Sequence, residues 1–146
     1  MERMISNLEQ RRKLMFYIVL AIAVIGITID SLFQIEAVSY FDEENRLYMV
    51  YGLITYKLIE LVALYFFFYH RHMVKYHSVK HDDDLMAKFD KNAKRFFMLV
   101  PHGSVIFGVI SYKLTANLEF FLLFLTIAFI ALFLVKPKNF TSYKLK

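Results

Sequence analysis

The chain has 146 residues, of which 58% are hydrophobic and 18% aromatic, more than the roughly 45–50% apolar content of soluble domains. Its formal net charge of +5 does not indicate a nucleic-acid partner, because the Lys and Arg residues flank apolar runs and form no patch interleaved with aromatics. The absence of cysteine excludes disulfides, thiol catalysis and Cys-ligated clusters. These features indicate one membrane domain over residues 1–146.

Four apolar runs follow one another along the chain, at residues 14–33, 47–69, 96–114 and 118–135. Each run is long enough to cross a hydrocarbon core about 30 Å thick at a rise of about 1.5 Å per residue. The basic residues before the first run resemble the start of a signal peptide, but the run is long for a signal peptide, so we expect an uncleaved span. The sequence therefore predicts an all-α bundle of four transmembrane helices.

Basic residues are distributed unevenly between these runs. Fifteen of the eighteen Lys and Arg residues lie in three segments, residues 1–13, 70–95 and 136–146. Two more, Arg46 and Lys113, lie in the first and third loops. Because basic loops are retained on the cytoplasmic side, we expect a multi-pass protein of the plasma (inner) membrane with both termini and the second loop in the cytoplasm.

The second loop continues the helical pattern on both sides of its middle. Tyr69, Met73 and Tyr76 extend one apolar stripe beyond the second run, and another stripe leads from Leu85 into the third. The aspartates at 82–84 stand where a new helix would begin, and carboxylates there accept free N–H groups. We therefore predict a cytoplasmic helical hairpin that extends the second and third helices and turns near residues 81–84.

Charged residues inside the apolar runs are the main candidates for chemistry. Lys57 and Glu60 lie near the middle of the second run, where an unpaired charge costs several kcal/mol, and their i, i+3 spacing allows contact. If the first two helices fold together about a turn near Phe41, Asp30 comes within reach of the lysine. The expected intramembrane polar cluster consists of Asp30, Tyr56, Lys57, Glu60 and His102.

The place of His102 in this cluster has two interpretations. Counted from the tip of the hairpin, the heights of His102 and Glu60 agree within about 3 Å, and an imidazole opposite a carboxylate could relay protons. At about 100° per residue, however, His102 lies opposite the stripe that we assign to the contact between the second and third helices. A contact of His102 with Glu60 and a contact with another helix or a second subunit therefore remain alternatives.

Small residues in the third run suggest close helix packing. Ser104 and Gly108 have the i, i+4 spacing that lets two helices approach each other in lipid. The fourth run is rich in Phe and has Thr126 as its interior polar residue. We expect this fourth helix to contribute little chemistry and to face lipid more than the other helices do.

The histidines of the second loop raise the question of a metal or haem. His77 and His81, at i, i+4 beside Asp82, are the candidate metal ligands, but no Glu stands between them as in zinc-protease helices. Histidines in a basic segment near the membrane are more often solvated or face lipid phosphate. A bis-histidine haem needs ligands at one height, and His70 and His102 differ by about 12 Å. We therefore expect no cofactor.

Three classes of function fit these features. The first is a small transport or conduction protein, in which the polar cluster binds a proton or a polar solute, as a homo-oligomer because four short helices enclose little volume. The second is a non-catalytic subunit or scaffold of a larger membrane complex, whose basic hairpin binds a partner or anionic lipid head groups while the buried charges specify packing. A membrane-bound metal or haem enzyme ranks third, because no catalytic motif is present. We place the transport class first.

Overall fold

The computed structural model describes residues 2–33 and 35–142, and the secondary structure in these residues is helical. The helices are α1 (Glu2–Leu32), α2 (Glu43–Ala63), a π-helical segment (Leu64–Tyr69), α3 (His70–Val79), α4 (Asp83–Thr115), α5 (Leu118–Leu134) and the short α6 (Asn139–Ser142). Because α2, the π-helical segment and α3 follow without a break, they form one long helix. The prediction of an all-α fold is confirmed for the described residues.

Three helices are long and apolar enough to cross a membrane, namely Glu2–Leu32, Glu43–Val79 and Asp83–Thr115. The fourth predicted span corresponds to α5, an apolar helix of 17 residues. The large apolar side chains exposed along the three long helices, such as Val24 and Ile59, are compatible with lipid surroundings.

Polar residues set the ends of the helices. The carboxylate of Asp82 accepts a hydrogen bond from the N–H of Leu85 at 3.0 Å and so begins α4. The side chain of Asn117 accepts from the N–H of Glu119 at 2.8 Å and begins α5 in the same way. Between these two helices Ala116 has a left-handed φ of 51°. Since the connection has two residues, α4 and α5 are antiparallel neighbours.

The two remaining long helices pack on opposite sides of the α4–α5 pair. On one side Phe16 of α1 packs on Phe129, with ring centroids 5.0 Å apart. On the other side Tyr51 of α2 packs on Phe120, with centroids 6.1 Å apart. Phe120 and Phe129 are nine residues apart and therefore point in opposite directions from α5 at about 100° per residue. The α4–α5 pair thus separates α1 from α2.

This arrangement makes α5 the central helix of the bundle. Seven of its side chains are buried, namely Phe121, Phe124, Leu125, Ile127, Ala128, Ala131 and Leu132, whereas α2 buries Val50 and Lys57. The expectation that the fourth helix faces lipid more than the others is therefore wrong. The physical reason is that a helix that is apolar all round can be covered by neighbours on several sides.

The predicted helical hairpin is confirmed, with α3 and α4 on either side of a turn at residues 80–82. The hairpin belongs to an apolar core that also includes the start of α1, Val135 at the end of α5, and α6. Its buried members are Met4, Ile5, Leu8, Tyr69, Met73, Tyr76, Val79, Phe89, Ala93 and Phe140. In addition, the hydroxyl of Tyr69 donates to the carbonyl oxygen of Lys136 at 2.7 Å. The start of α1, the hairpin and α6 therefore lie at the same end of the bundle.

The loop between α1 and α2 lies at the opposite end. The N–H of Val38 donates to the carbonyl oxygen of Lys113 at 3.2 Å, and the guanidinium of Arg46 donates to the carbonyl oxygen of Val38 at 2.9 Å. Because Lys113 is in the last turn of α4, these contacts place the loop beside the α4–α5 connection.

Candidate functional site

Lys57 and Glu60 form an ion pair on α2, as their spacing predicts. Lys57 Nζ contacts Glu60 Oε2, one turn further along the same helix. Lys57 is 2% exposed, whereas the side chain of Glu60 is 28% exposed. The cation is therefore enclosed, and the carboxylate reaches the surface of the bundle.

Helix α4 closes the space around the lysine. A Cβ placed on Gly103 would lie 2.7 Å from Lys57 Nζ, so the ammonium group fills the space that the missing side chain leaves. One turn later, the centroid of the Phe107 ring lies 5.2 Å from the same Nζ atom, within the range of a cation–π contact. Sequence reasoning missed Gly103 and Phe107. The signal that could have found Gly103 is a glycine in the third run at the height of Lys57.

Asp30 binds a different helix from the one expected. The hydroxyl of Tyr112, on α4, donates to Asp30 Oδ1 at 2.6 Å. Since α1 and α2 lie on opposite sides of the α4–α5 pair, the structure does not bring Asp30 to Lys57. Val38, in the loop before α2, binds the end of α4, so consecutive helices need not be neighbours. Tyr112, which is not a member of the predicted cluster, is the partner of the carboxylate.

Tyr56 and His102 lie at the rim of this region. The ring of Tyr56 packs on Phe107 with centroids 5.9 Å apart, and its side chain is more than half exposed. His102 is exposed, and its Nδ1 lies 2.7 Å from the carbonyl oxygen of Met98, so Nδ1–H donates to that oxygen. Among the described residues His102 has no hydrogen bond to Glu60.

Ser104 and Gly108 lie in the contact between α4 and α5. A Cβ on Gly108 would lie 3.2 Å from Phe124 Cβ and 3.3 Å from the backbone oxygen of Phe121. Ser104 is fully buried one turn earlier, and its hydroxyl donates to a backbone carbonyl of its own helix. From the other side, a Cβ on Gly26 would overlap the ring of Phe121. The Phe121 ring therefore packs between glycines of α1 and α4, of which Gly26 was missed.

The candidate metal ligands lie at the tip of the hairpin without converging on one point. The ring of His77 packs edge-on against Tyr76, His81 is exposed in the turn, and Asp82 accepts the capping bond of α4. Over residues 2–33 and 35–142, no group of three His, Asp or Glu side chains is placed to hold a metal ion. In this arrangement Asp82 is the N-cap of α4.

A small apolar cavity lies where the π-helical segment faces α4 and α5. Its volume is about 20 Å³, enough for a single water molecule, and its lining includes Leu64, Tyr65 and Pro101. Arg12 closes one side, and its guanidinium donates to the carbonyl oxygen of Leu132 at 3.0 Å. That oxygen belongs to the last turn of α5, where carbonyls lack helical donors and the helix dipole favours a cation. Arg12 therefore caps the carboxyl-terminal end of α5.

An open groove lies between α1 and α4 at the hairpin end. It has a volume of about 630 Å³ and is lined by Asn7, Gln10, Arg11, Leu14 and Lys94. Lys94 also pairs with Asp90 on its own helix. Neither this groove nor the small cavity is lined by Lys57 or Glu60.

The geometry around Lys57 is that of an ion pair with an enclosed cation and a partly exposed carboxylate. Its charge is compensated by Glu60 and by the Phe107 ring, and the α2–α4 contact shields it from solvent. No family model, curated protein or solved structure matches this chain. The functional conclusion therefore rests on the geometry of the chain itself.

Proposed function

We propose that the chain is a non-catalytic subunit or scaffold of a membrane complex. The observation that carries this proposal is the burial of Lys57, which is 2% exposed, paired with Glu60 and covered by α4. A transport path would have to bring water or solute to this pair, and the groove and the cavity described above do not reach it. An ion pair whose cation is buried and compensated is instead suited to fixing how α2 packs on α4.

Transport or conduction becomes the second candidate. It is supported by the exposed fraction of the Glu60 side chain, 28%, at the surface of an apolar helix. For this candidate to hold, α2 would have to separate from Gly103 and Phe107 so that solvent reaches Lys57.

We further propose that the chain crosses the plasma (inner) membrane four times, with both termini and the hairpin in the cytoplasm. At about 1.5 Å per residue α5 is about 25 Å long, which is at the lower end of the lengths that span a bilayer. The start of α1, the hairpin and Lys136 share one end of the bundle, whereas Arg46 and Lys113 lie at the other. This separation of basic residues supports the orientation through the rule that basic loops stay inside.

At the cytoplasmic end we propose that the α1–α4 groove binds anionic lipid head groups. Arg11 and Lys94 line the groove beside Asn7 and Gln10, and the apolar Leu14 follows one turn below Gln10. Basic side chains near an anionic membrane surface contribute about 1 kcal/mol each. Along α1 the lining of the groove changes from the polar Asn7 and Gln10 to the apolar Leu14, just as a lipid changes from its polar head group to its acyl chains.

Purification from native membranes in a mild detergent tests the proposed function. We expect the chain to elute in a fixed ratio with another membrane protein. The preparation should be colourless and free of metal. A homogeneous monomer that catalyses solute or proton movement when reconstituted alone would contradict the subunit proposal and favour transport.

A further inference from the structure

The outer face of α4 presents His102 on a surface that is lined by Met98 and Leu99 and, two turns before the histidine, by the exposed Arg95. His102 is exposed, and it is flanked by Leu99 and Ile106, which are 70% and 56% exposed. In transmembrane segments, ionisable side chains almost always face the bundle interior, a water-filled cavity or a partner. His102 faces outward, and beyond the bond from Nδ1 to Met98 no residue among 2–33 and 35–142 hydrogen-bonds its ring, so we look for a further partner in another molecule.

Glu60 lies at the same height on the neighbouring helix. It precedes Val79, the end of α3, by nineteen residues, and His102 follows Asp83, the start of α4, by nineteen residues. At about 1.5 Å per residue both side chains are about 28 Å from the tip of the hairpin. A rotation about an axis along the membrane normal does not change the depth of a residue. Glu60 of one subunit and His102 of another can therefore meet across such an axis because they lie at the same depth.

Both groups keep one polar atom without a partner among the described residues. Glu60 Oε2 binds Lys57, which leaves Oε1. His102 Nδ1 donates to the carbonyl of Met98, which leaves Nε2. In its doubly protonated form the imidazole donates from Nε2 as well, and a carboxylate oxygen is a strong acceptor for such a donor.

We propose that a second copy of the chain docks on this face through a twofold axis normal to the membrane. Leu99 and Ile106 pack near the axis, and Glu60 accepts a hydrogen bond from His102 of the partner subunit. A twofold contact is self-complementary, so the same bond forms a second time with the roles of the subunits exchanged. A lipid chain offers no acceptor at this depth, which favours a second copy as the occupant. The inference goes beyond the proposed function, because the dimer can form whether or not other subunits join it.

Association of labelled copies in lipid vesicles tests the proposed bond. Energy transfer between donor-labelled and acceptor-labelled chains should report dimers of the unchanged protein. His102→Ala and Glu60→Gln should each lower the association constant by at least about fivefold, since interhelical polar contacts in membranes are worth about 0.6–2 kcal/mol each. His81→Ala, which changes an exposed histidine in the hairpin turn, serves as the matched control and should have no effect.

A mixture of the two variants provides the sharper test. A chain with His102→Ala keeps Glu60, and a chain with Glu60→Gln keeps His102, so their mixed dimer retains one of the two bonds. We expect the mixture to associate more strongly than either variant alone. Unchanged association of the His102→Ala variant, or a mixture no stronger than the single variants, would overturn the proposed bond.

Disulfide trapping locates the interface independently of Glu60. The chain has no cysteine, so Ile106→Cys and Val24→Cys each introduce a single thiol. The two positions are 56% and 58% exposed and lie on different helices. Oxidation in membranes should crosslink the Ile106→Cys chain and leave the Val24→Cys chain monomeric. Equal crosslinking of both, or of neither, would contradict docking on the α4 face.

Discussion

Lys57 shows at the scale of single residues how an apolar bundle accommodates a charge. Its ammonium group contacts Glu60 on the same helix, fills the space over Gly103 and lies over the Phe107 ring. Each contact offsets part of the desolvation cost of the cation, and the cation–π contact contributes about 0.5–2 kcal/mol. The position of Lys57 is therefore set by three neighbours acting together.

Substitution of the pair should show coupling between its members. Lys57→Ala leaves the Glu60 carboxylate uncompensated, and the loss of a buried partner costs roughly 3–5 kcal/mol, or less in a membrane where the unfolded chain also finds polar partners. Replacing both residues with neutral ones should destabilise the protein less than Lys57→Ala does, because the desolvation cost disappears with the attraction. Thermal unfolding in detergent measures this, and additive losses would show that Lys57 and Glu60 do not interact.

The bond between Tyr112 and Asp30 joins α1 to α4 and gives a second residue-scale prediction. Tyr112→Phe removes the donor and leaves the Asp30 carboxylate without its hydrogen bond, at a cost of about 1.5–3 kcal/mol for a bond to a charged group. Tyr48→Phe is the matched control, because the Tyr48 hydroxyl also binds a carboxylate, that of Glu44, but at an exposed site. Unfolding temperatures should fall clearly for Tyr112→Phe alone. An equal effect of both changes would contradict a tertiary role for the Asp30–Tyr112 bond.

At the scale of helices, glycines determine how closely α1, α4 and α5 approach one another. The Phe121 ring packs between Gly26 of α1 and Gly108 of α4. A Cβ at Gly26 would overlap the ring, and a Cβ at Gly108 would lie 3.2–3.3 Å from Phe124 Cβ and from the ring and backbone oxygen of Phe121, a tight contact. In lipid, where apolar surroundings exist on every side, such close van der Waals packing is a main source of helix association. The central position of α5 follows from this fit.

Alanine substitution at two glycines separates packing from helix propensity. Gly26→Ala should destabilise the protein by about 1–3 kcal/mol, because the new methyl group overlaps the Phe121 ring. Gly52→Ala is the control, since no atom lies within 4 Å of a Cβ at that position and alanine favours a helix by up to about 1 kcal/mol. Unfolding in detergent should therefore give changes of opposite sign or of clearly different size. Equal stability of the two variants would refute the close packing of α1 on α5.

The helices themselves were largely predictable from the sequence, but their neighbours were not. Apolar periodicity runs through Tyr69, Met73 and Tyr76, so the hairpin could be predicted. Periodicity in a membrane does not distinguish a side chain that faces lipid from one that faces a helix, which is why the burial of α5 was missed. Nor did the sequence indicate that Phe140 would pack into the hairpin core.

In the candidate site, too, contacts within one helix could be predicted from the sequence and contacts between helices could not. The pairing of Lys57 with Glu60 depends on local helix geometry and could be predicted from an i, i+3 spacing. The partners Gly103 and Tyr112 depend on which helices are adjacent. The prediction that Asp30 meets Lys57 takes consecutive helices as neighbours, whereas α1 and α2 lie apart and Asp30 accepts a hydrogen bond from Tyr112 of α4.

At the scale of the whole molecule, the bundle has a basic end and an end with few basic residues. Single cysteines in the cysteine-free chain can locate these ends relative to the membrane. An impermeant thiol reagent added outside intact cells should label Tyr40→Cys in the first loop and should not label Ser78→Cys in the hairpin until the membrane is opened. Both positions are exposed, so folding does not limit their reaction. Labelling of Ser78→Cys in intact cells would invert the proposed orientation.

The central proposal is that the Lys57–Glu60 ion pair has a structural role and that the protein does not conduct. Proton flux through vesicles that contain the purified chain, measured with an internal pH-sensitive dye against empty vesicles, tests this claim most directly. We predict that the unchanged protein and its Glu60→Gln variant both give the flux of empty vesicles. A flux above that level in the unchanged protein, lost in a folded Glu60→Gln variant, would contradict the claim and assign the pair to a transport path.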